Sequence, residues 1–64
     1  MIQFSLRPEQ RGKLSKEHIE TLPSVENVNI QNHHVWLVNV TDIHMSYDMF
    51  IKSIAHLQKL LDNI

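Results

Sequence analysis

The sequence contains no cysteine, and this absence excludes disulfide bonds and any metal site built on thiolates. The hydrophobic core and the hydrogen bonds must therefore hold the fold without a covalent link. The 64 residues form a single small domain, 1–64, and domains of this size rarely gain more than about 3–5 kcal/mol from their core alone. A second copy or another protein would be a natural source of further stability.

Other absences narrow the class of protein. The chain has no apolar run of about 18 residues, so we expect no transmembrane span and no membrane partner. Its first residues, MIQFSLRPEQ, lack the basic and apolar regions of a signal peptide, so we expect a cytoplasmic protein. A net charge of −1 gives no general attraction to nucleic acid. So short a chain offers little room for a cleft that excludes water. We expect no enzyme activity, no catalytic residues and no cofactor.

Three segments show the alternation of apolar and polar residues that is typical of β-strands. They are residues 2–7, 25–31 and 35–40. The third, VWLVNV, is rich in β-branched and aromatic residues, and we expect it at the centre of a sheet. Residues 32–34, NHH, predict a tight turn that joins the second and third strands, because asparagine tolerates the left-handed conformation.

Two segments show the spacing of amphipathic helices. The first spans about residues 14–22 and ends before Pro23, and a polar loop at 8–13 precedes it. The second spans about residues 47–62. The serines expected to cap the two helices are Ser15 and Ser46. The residues expected to form the buried stripe of the second helix are Phe50, Ile54, Leu57, Leu61 and Ile64.

The resulting order is β-α-β-β-α, which predicts an α+β domain of the ferredoxin-like split βαβ type without its usual last strand. We expect a three-stranded antiparallel or mixed sheet with both helices on one face. Because crossover connections are right-handed, we expect the first and third strands to be parallel neighbours, with the second strand outside the third. The first strand is then an open edge of the sheet.

Parts of the chain also follow the pattern of a known family. They are LPSV, with Ser24 where the family has glycine, then ENVNI and VWLVNV, and finally SYDMFIKSI. Together they span about 40 residues and resemble the heavy-metal-associated domain of copper chaperones and metal-transporting ATPases. The resemblance implies a ferredoxin-like fold with a metal-binding Cys-x-x-Cys loop after the first strand. The corresponding loop here, RPEQRGK, has no thiol, so copper(I) handling by that mechanism is excluded.

The five histidines are candidate metal ligands: His18, His33, His34, His44 and His56. Residues 33 and 34 are neighbours, which we expect to point to opposite sides, and the other three are isolated. The spacing therefore predicts no metal site. A metal-related domain that uses histidines for nickel, zinc or copper(II) is an alternative hypothesis.

Four of the six cations lie close together around the only glycine: Arg7, Arg11, Lys13 and Lys16. A loop of this kind before a helix can hold a phosphate or a carboxylate, although Glu9 and Glu17 dilute its charge. The sequence shows neither P-loop spacing nor the aromatic pair of RNA-binding sheets. We expect a solvated loop. Weak anion binding, or a small nucleic-acid-binding regulator that uses residues 7–16, is the alternative.

The remaining candidate surface belongs to the sheet. Residues 2–6 contain no charge and no proline that would discourage pairing with a further strand. Val35 and Leu37 are expected on the sheet face away from the helices, as a modest apolar patch. The predicted partner-binding residues are Ile2, Gln3, Phe4, Ser5, Arg7, Val35 and Leu37.

These features favour a non-enzymatic interaction or regulatory protein, an adaptor that docks to another protein or forms a homodimer. The expected mechanism is strand addition along residues 2–7, assisted by the patch at Val35 and Leu37. The two alternatives are the histidine-based metal domain and the nucleic-acid-binding regulator described above.

Overall fold

The computed structural model describes residues 1–63 as an α+β fold with a three-stranded antiparallel sheet and three helices. The strands are β1 (Ile2–Leu6), β2 (Val25–Asn32) and β3 (Val35–Val40). The helices are α1 (Pro8–Arg11), α2 (Lys16–Glu20) and α3 (Tyr47–Asp62). The three predicted strands and the last predicted helix are confirmed to within one residue at each end. Ile64, the last residue of the expected α3 stripe, lies outside the described residues.

The strand order is β1-β3-β2, and both pairings are antiparallel. The position of β3 beside β1 agrees with the sequence analysis, but the expected parallel direction of these two strands is wrong. The right-handed crossover rule applies to the strands that the helical connection joins, which are β1 and β2, and these run parallel to each other. The hairpin then reverses the chain, so β3 runs antiparallel to both of its neighbours.

The connection between β1 and β2 contains two short helices. Pro8 occupies the first turn of α1, where a missing N–H costs nothing, and the Oε1 atom of Gln10 accepts the backbone N–H of Arg7 at 2.8 Å. Gly12 ends this turn with φ +54°, a conformation that L side chains rarely adopt. The predicted polar loop at 8–13 is therefore partly helical, because a proline at the start and a glycine at the end fit one helical turn.

Both predicted serine caps are confirmed. Ser15 Oγ accepts the backbone N–H of His18 at 3.2 Å, and Ser46 Oγ accepts that of Met49 at 3.1 Å. The Nδ1 atom of His18 in turn accepts the backbone N–H of Ser15 at 3.0 Å. An imidazole thus completes the capping box of α2, in the place that a glutamate or glutamine usually fills.

One face of the sheet packs against α2 and α3 to form the core. The fully buried apolar side chains are Leu6, Leu14, Ile19, Val28, Val38, Val40, Phe50 and Ile54. The predicted α3 stripe is confirmed for Phe50 and Ile54, whereas Leu57 and Leu61 are half-buried at the margin of the core. Both of these helices lie on one face of the sheet, and the other face stays open.

A two-residue turn, His33 and His34, joins β2 to β3. The Oδ1 atom of Asn32 accepts the backbone N–H of His34 at 2.8 Å and that of Val35 at 3.1 Å. This side chain takes the place of a backbone carbonyl in the turn. The predicted hairpin is confirmed, but the left-handed conformation expected to form it is wrong. Among residues 1–63 only Gly12 has a positive φ, and Asn32 holds the turn through its side chain instead.

Candidate functional site

The sheet has two edges, because β3 lies at its centre and β1 and β2 lie outside it. Each edge presents backbone N–H and C=O groups that no neighbouring strand can pair. Natural proteins usually cover or distort such edges, since a bare edge recruits strands from other chains. A comparison of the two edges therefore shows which side of this sheet is available to a partner.

The backbone direction along β3 follows from a hydrogen bond at its end. Thr41 donates its backbone N–H to the carbonyl of Ser24 at 2.8 Å, so Thr41 points toward the β2 side. The backbone N–H and C=O groups of successive residues in a strand point to alternate sides. Those of the odd-numbered residues of β3 therefore point to β2, and those of the even-numbered residues point to β1. The even-numbered residues of β3 oppose the even-numbered residues of β1. The N–H and C=O groups of Gln3 and Ser5 therefore point to the free edge.

The free side of β2 is partly occupied. The backbone N–H of Val28, which points away from β3, donates to the Oε2 atom of Glu20 at 3.0 Å. Two register shifts, at Glu26 and Gln31, interrupt the pairing of β2 with β3. Three features of this edge discourage the approach of another strand: the carboxylate of Glu20, the charge of Glu26 and the two register shifts.

The free side of β1 has none of these features. β1 pairs with β3 in an unbroken register over its five residues. Within residues 1–63, no acidic side chain caps an edge amide of β1 in the way that Glu20 caps Val28. Pairing along β1 ends at Leu6, because the next residue, the exposed Arg7, donates its backbone N–H to Gln10 at the start of α1.

An aromatic cluster flanks the free edge of β1 on the helix side. The ring of Phe4 stacks on the ring of Phe50, with centres 4.8 Å apart, and lies 5.8 Å from the ring of Tyr47. Phe50 is fully buried, but Phe4 and Ile2 are half-buried and Tyr47 is 47% exposed. The apolar core is therefore incompletely covered at the place where a further strand would lie.

The open face of the sheet is mostly polar. Asn39 links the three strands there, since its Oδ1 accepts from Gln3 Nε2 at 3.0 Å and its Nδ2 donates to Asn27 Oδ1 at 2.6 Å. Val35 lies at the end of β3 and is exposed, and Leu37 is half-buried among the polar side chains. This pair forms a smaller apolar surface than the aromatic cluster at the edge.

Arg11, one of the four predicted anion-binding residues, is buried. Its side chain is 5% exposed, and its guanidinium carbon lies 4.0 Å from the centre of the Trp36 ring. The Nη2 atom donates to the carbonyl of His33 at 2.8 Å, while the buried Nη1 atom has no hydrogen-bond partner among the described residues. The guanidinium therefore joins α1 to the hairpin and is withdrawn from the loop surface.

The other three basic residues do not converge. Lys16 Nζ lies 4.0 Å from a carboxylate oxygen of Glu20, one helical turn away. Lys13 lines a shallow pocket of about 220 Å³ that Asp62 also lines. Arg7 is exposed at the end of β1. The positive charge that the sequence concentrates in 7–16 is therefore spread over separate surfaces, and Arg11 is buried against Trp36.

The histidines are also distributed. The rings of His33 and His34 pack edge to face with centres 5.3 Å apart, so the expectation that they point to opposite sides is wrong. The reason is that they form the turn itself, where the alternation of a strand does not apply. Across residues 1–63, no three histidine, aspartate or glutamate side chains come together in a group that could hold a metal ion.

Two residues that shape the edges of the sheet were not predicted from the sequence: Tyr47 at the β1 edge and Glu20 at the β2 edge. Tyr47 lies one turn before Phe50 on α3, and this spacing was a usable signal for its place beside Phe4. Glu20 reaches β2 only through the packing of α2 on the sheet, and no local pattern indicates that contact.

None of the helices within residues 1–63 is long and apolar enough to cross a membrane. No family model matches the chain, and it has no significant match among curated proteins or solved structures. The geometry of the two edges is therefore the basis for an assignment of function.

Proposed function

We propose that this protein is a non-enzymatic interaction domain, an adaptor or regulator that docks a protein partner along the free edge of β1. A β-strand of the partner adds to the sheet antiparallel to β1, and main-chain hydrogen bonds to Gln3 and Ser5 hold it. The observation that carries the proposal is the contrast between the edges. The β2 edge is capped by Glu20 and broken by two register shifts, whereas the β1 edge is regular, uncharged and uncovered.

The aromatic cluster supports the same side. A strand beside β1 would place its helix-facing side chains against Phe4 and Tyr47, which are incompletely buried. Burial of apolar surface would then add to the main-chain hydrogen bonds, which by themselves are not selective. The patch at Val35 and Leu37 has a secondary role on the open face of the sheet.

The proposal extends to the fold class and to the resemblance to the heavy-metal-associated domains. The domain is a ferredoxin-like split βαβ arrangement without its last strand, related to the heavy-metal-associated domains, and it acts in the cytoplasm. The strand order β1-β3-β2 and the packing of α2 and α3 on one face support this class. In such an arrangement the missing strand would lie beside β1, which is where the proposed partner strand binds.

The alternative functions receive less support from the geometry. The nucleic-acid hypothesis relies on the basic residues of 7–16, of which Arg11 is buried against Trp36. The histidine-based metal hypothesis needs ligands that converge, and the two histidines that lie close together have no third partner group among residues 1–63. Neither surface offers the regular, uncovered array of polar groups that the β1 edge does.

A pair of proline variants tests the edge. Ser5→Pro removes an N–H that points to the free edge and leaves the ladder with β3 intact, and Ile30→Pro does the same at the β2 edge. Tagged wild-type, Ser5→Pro and Ile30→Pro proteins are compared for proteins captured from the cells that produce the chain. Amide hydrogen exchange then maps the surface protected in each recovered complex, and circular dichroism verifies that the variants fold.

We expect the wild type and Ile30→Pro to retain the same partner and to protect the amides of Gln3 and Ser5. Ser5→Pro should lose that partner. Retention of the partner by Ser5→Pro, or protection confined to another surface, would overturn the proposal.

A further inference from the structure

We propose that the strand that docks on β1 is β1 of a second copy of this chain, arranged around a two-fold axis perpendicular to the sheet. The inference rests on the proposed function and identifies its partner. The two sheets then join into one sheet of about six strands, with the order β2-β3-β1-β1-β3-β2, because each copy contributes three.

The pleat of the strands restricts how two copies of β1 can pair. A two-fold axis perpendicular to the sheet keeps the helices of both copies on the same face, so a helix-facing residue must oppose a helix-facing residue. Even-numbered residues of β1 face the helices and odd-numbered residues face away, as their partners on β3 do. The residue numbers of each opposed pair therefore add to an even number, and one residue of β1 opposes itself.

The ends of β1 select one register. Pairing stops at Leu6, because the chain turns into α1 at Arg7, whose backbone N–H is bonded to Gln10. Full overlap of Ile2–Leu6 with its symmetry mate requires Phe4 to lie on the axis. Gln3 then opposes Ser5 of the partner subunit, and Ser5 opposes the partner's Gln3.

The backbone directions fit this register. Gln3 and Ser5 have the outward N–H and C=O groups, so the two pairs that they form are the hydrogen-bonded pairs and supply about four main-chain bonds. Phe4 opposes itself in a non-hydrogen-bonded pair, where side chains approach most closely. The incompletely buried Phe4 rings would thus meet across the axis, with Tyr47 of each copy beside them.

A second copy supplies each property that the edge demands. It provides an uncharged strand of the same length, with an apolar residue at every second position on the helix side. It also provides Tyr47 on a neighbouring helix to cover the aromatic cluster, which an isolated extended peptide does not. Strands directly opposed with matching aromatic residues stabilise each other. The surface beside β1 is therefore complementary to itself.

A charge exchange at the exposed positions 3 and 5 tests the register. In the variant Gln3→Lys/Ser5→Lys, each added lysine would oppose a lysine of the partner subunit and weaken association. In the variant Gln3→Glu/Ser5→Lys, each glutamate would oppose a lysine and restore it. The two variants differ only at position 3, and both lose the same hydrogen bond between Gln3 and Asn39. Association is measured by sedimentation equilibrium over a concentration series, and folding by circular dichroism.

We expect the wild type to dimerise, the double-lysine variant to associate at least about tenfold more weakly, and the glutamate–lysine variant to recover to within about threefold. Equal weakening of both variants would overturn the register centred on Phe4. The two neighbouring registers place Gln3 or Ser5 on the axis, so in this variant either the two glutamates or the two lysines oppose each other and no glutamate opposes a lysine. No weakening of either variant would overturn β1 as the interface.

A wild-type protein that stays monomeric at high micromolar concentration would overturn the second copy as partner. The proline experiment then separates this failure from that of the proposed function. If Ser5→Pro still abolishes binding of a captured protein that protects Gln3 and Ser5, strand addition stands with a different partner. If it does not, both proposals are wrong.

Discussion

The guanidinium carbon of Arg11 lies 4.0 Å from the centre of the Trp36 ring, and this contact fixes α1 on the end of the central strand. A cation over an aromatic face is attracted by about 0.5–2 kcal/mol, depending on its exposure to water. Against this stands the cost of burying a charged group whose Nη1 atom finds no partner in the described chain. The balance between these terms can be measured by substitution.

We expect the free energy of unfolding of Arg11→Met to lie within about 1 kcal/mol of that of the wild type, because a methionine keeps the packing on Trp36 and removes the buried charge. Arg11→Ala should lose about 2 kcal/mol or more, because it leaves a cavity beside the ring. Urea unfolding of the two variants makes the comparison. Equal destabilisation of both would show that the charge, and not the packing of the stem, provides the stability.

Gly12 is expected to tolerate no side chain. Its φ of +54° is strained for any L residue, and a Cβ atom would lie 2.6 Å from the Oε1 atom of Gln58. That same amide donates from Nε2 to the carbonyl of Gln10 at 2.7 Å, so it is not free to move. Gly12→Ala should therefore cost at least about 1 kcal/mol in thermal or urea unfolding. Lys13→Ala, at the exposed neighbouring position, is the control and should be nearly silent.

Glu20 is expected to stabilise the β2 edge through the N–H of Val28. Glu20→Ala leaves this N–H without its acceptor and should cost about 1 kcal/mol. Glu20→Gln keeps a carbonyl oxygen at the same distance and should recover most of the loss. Hydrogen exchange of the Val28 amide provides a local readout. Unchanged protection in Glu20→Ala would show that the carboxylate does not cover the edge in solution.

The stripe on α3 should show a gradient of stability. Ile54→Ala removes a fully buried side chain and should cost about 2–5 kcal/mol, which is comparable to the whole stability of so small a domain. Leu57→Ala should cost less, because Leu57 is only half-buried. Lys59→Ala, on the exposed side of the helix, should leave the melting temperature nearly unchanged. A melting temperature of Lys59→Ala as low as that of Ile54→Ala would mean that the buried face is wrongly assigned.

Metal binding is expected to be weak. The close pair His33 and His34 lacks a third ligand group within residues 1–63, and the chain has no thiol. Calorimetric titration with zinc or nickel should show no one-to-one binding tighter than about micromolar. Tight binding that is lost in the double variant His33→Ala/His34→Ala would contradict this expectation and restore the metal hypothesis.

The positions of the strands and of α3 were predictable because their signals are local. Alternation of apolar and polar residues marked the three strands, and Ser46 marked the start of α3. Asn32 also marked the hairpin locally, although its side-chain bonds to the backbone two and three residues further on hold the turn, and not the left-handed conformation that the sequence predicted. Such signals need no knowledge of the rest of the chain.

The features that the sequence did not predict depend on contacts between distant segments. The burial of Arg11 requires the Trp36 ring to lie under it, and the cap on β2 requires α2 to bring Glu20 to Val28. The direction of β1 relative to β3 follows from which two strands the helices connect, not from either strand alone. The contrast between the two edges was therefore accessible only from the assembled fold.

That contrast also limits how large an assembly can become. A sheet with two bare edges could add chains at both ends and grow into a fibre, whereas a chain that adds strands only at β1, as we propose, could be extended on one side only. Two copies joined through β1 would present only the two obstructed β2 edges to the solvent. Growth by strand addition would stop at two copies of the chain. Glu20 and the register shifts at residues 26 and 31 would prevent further copies from pairing with β2.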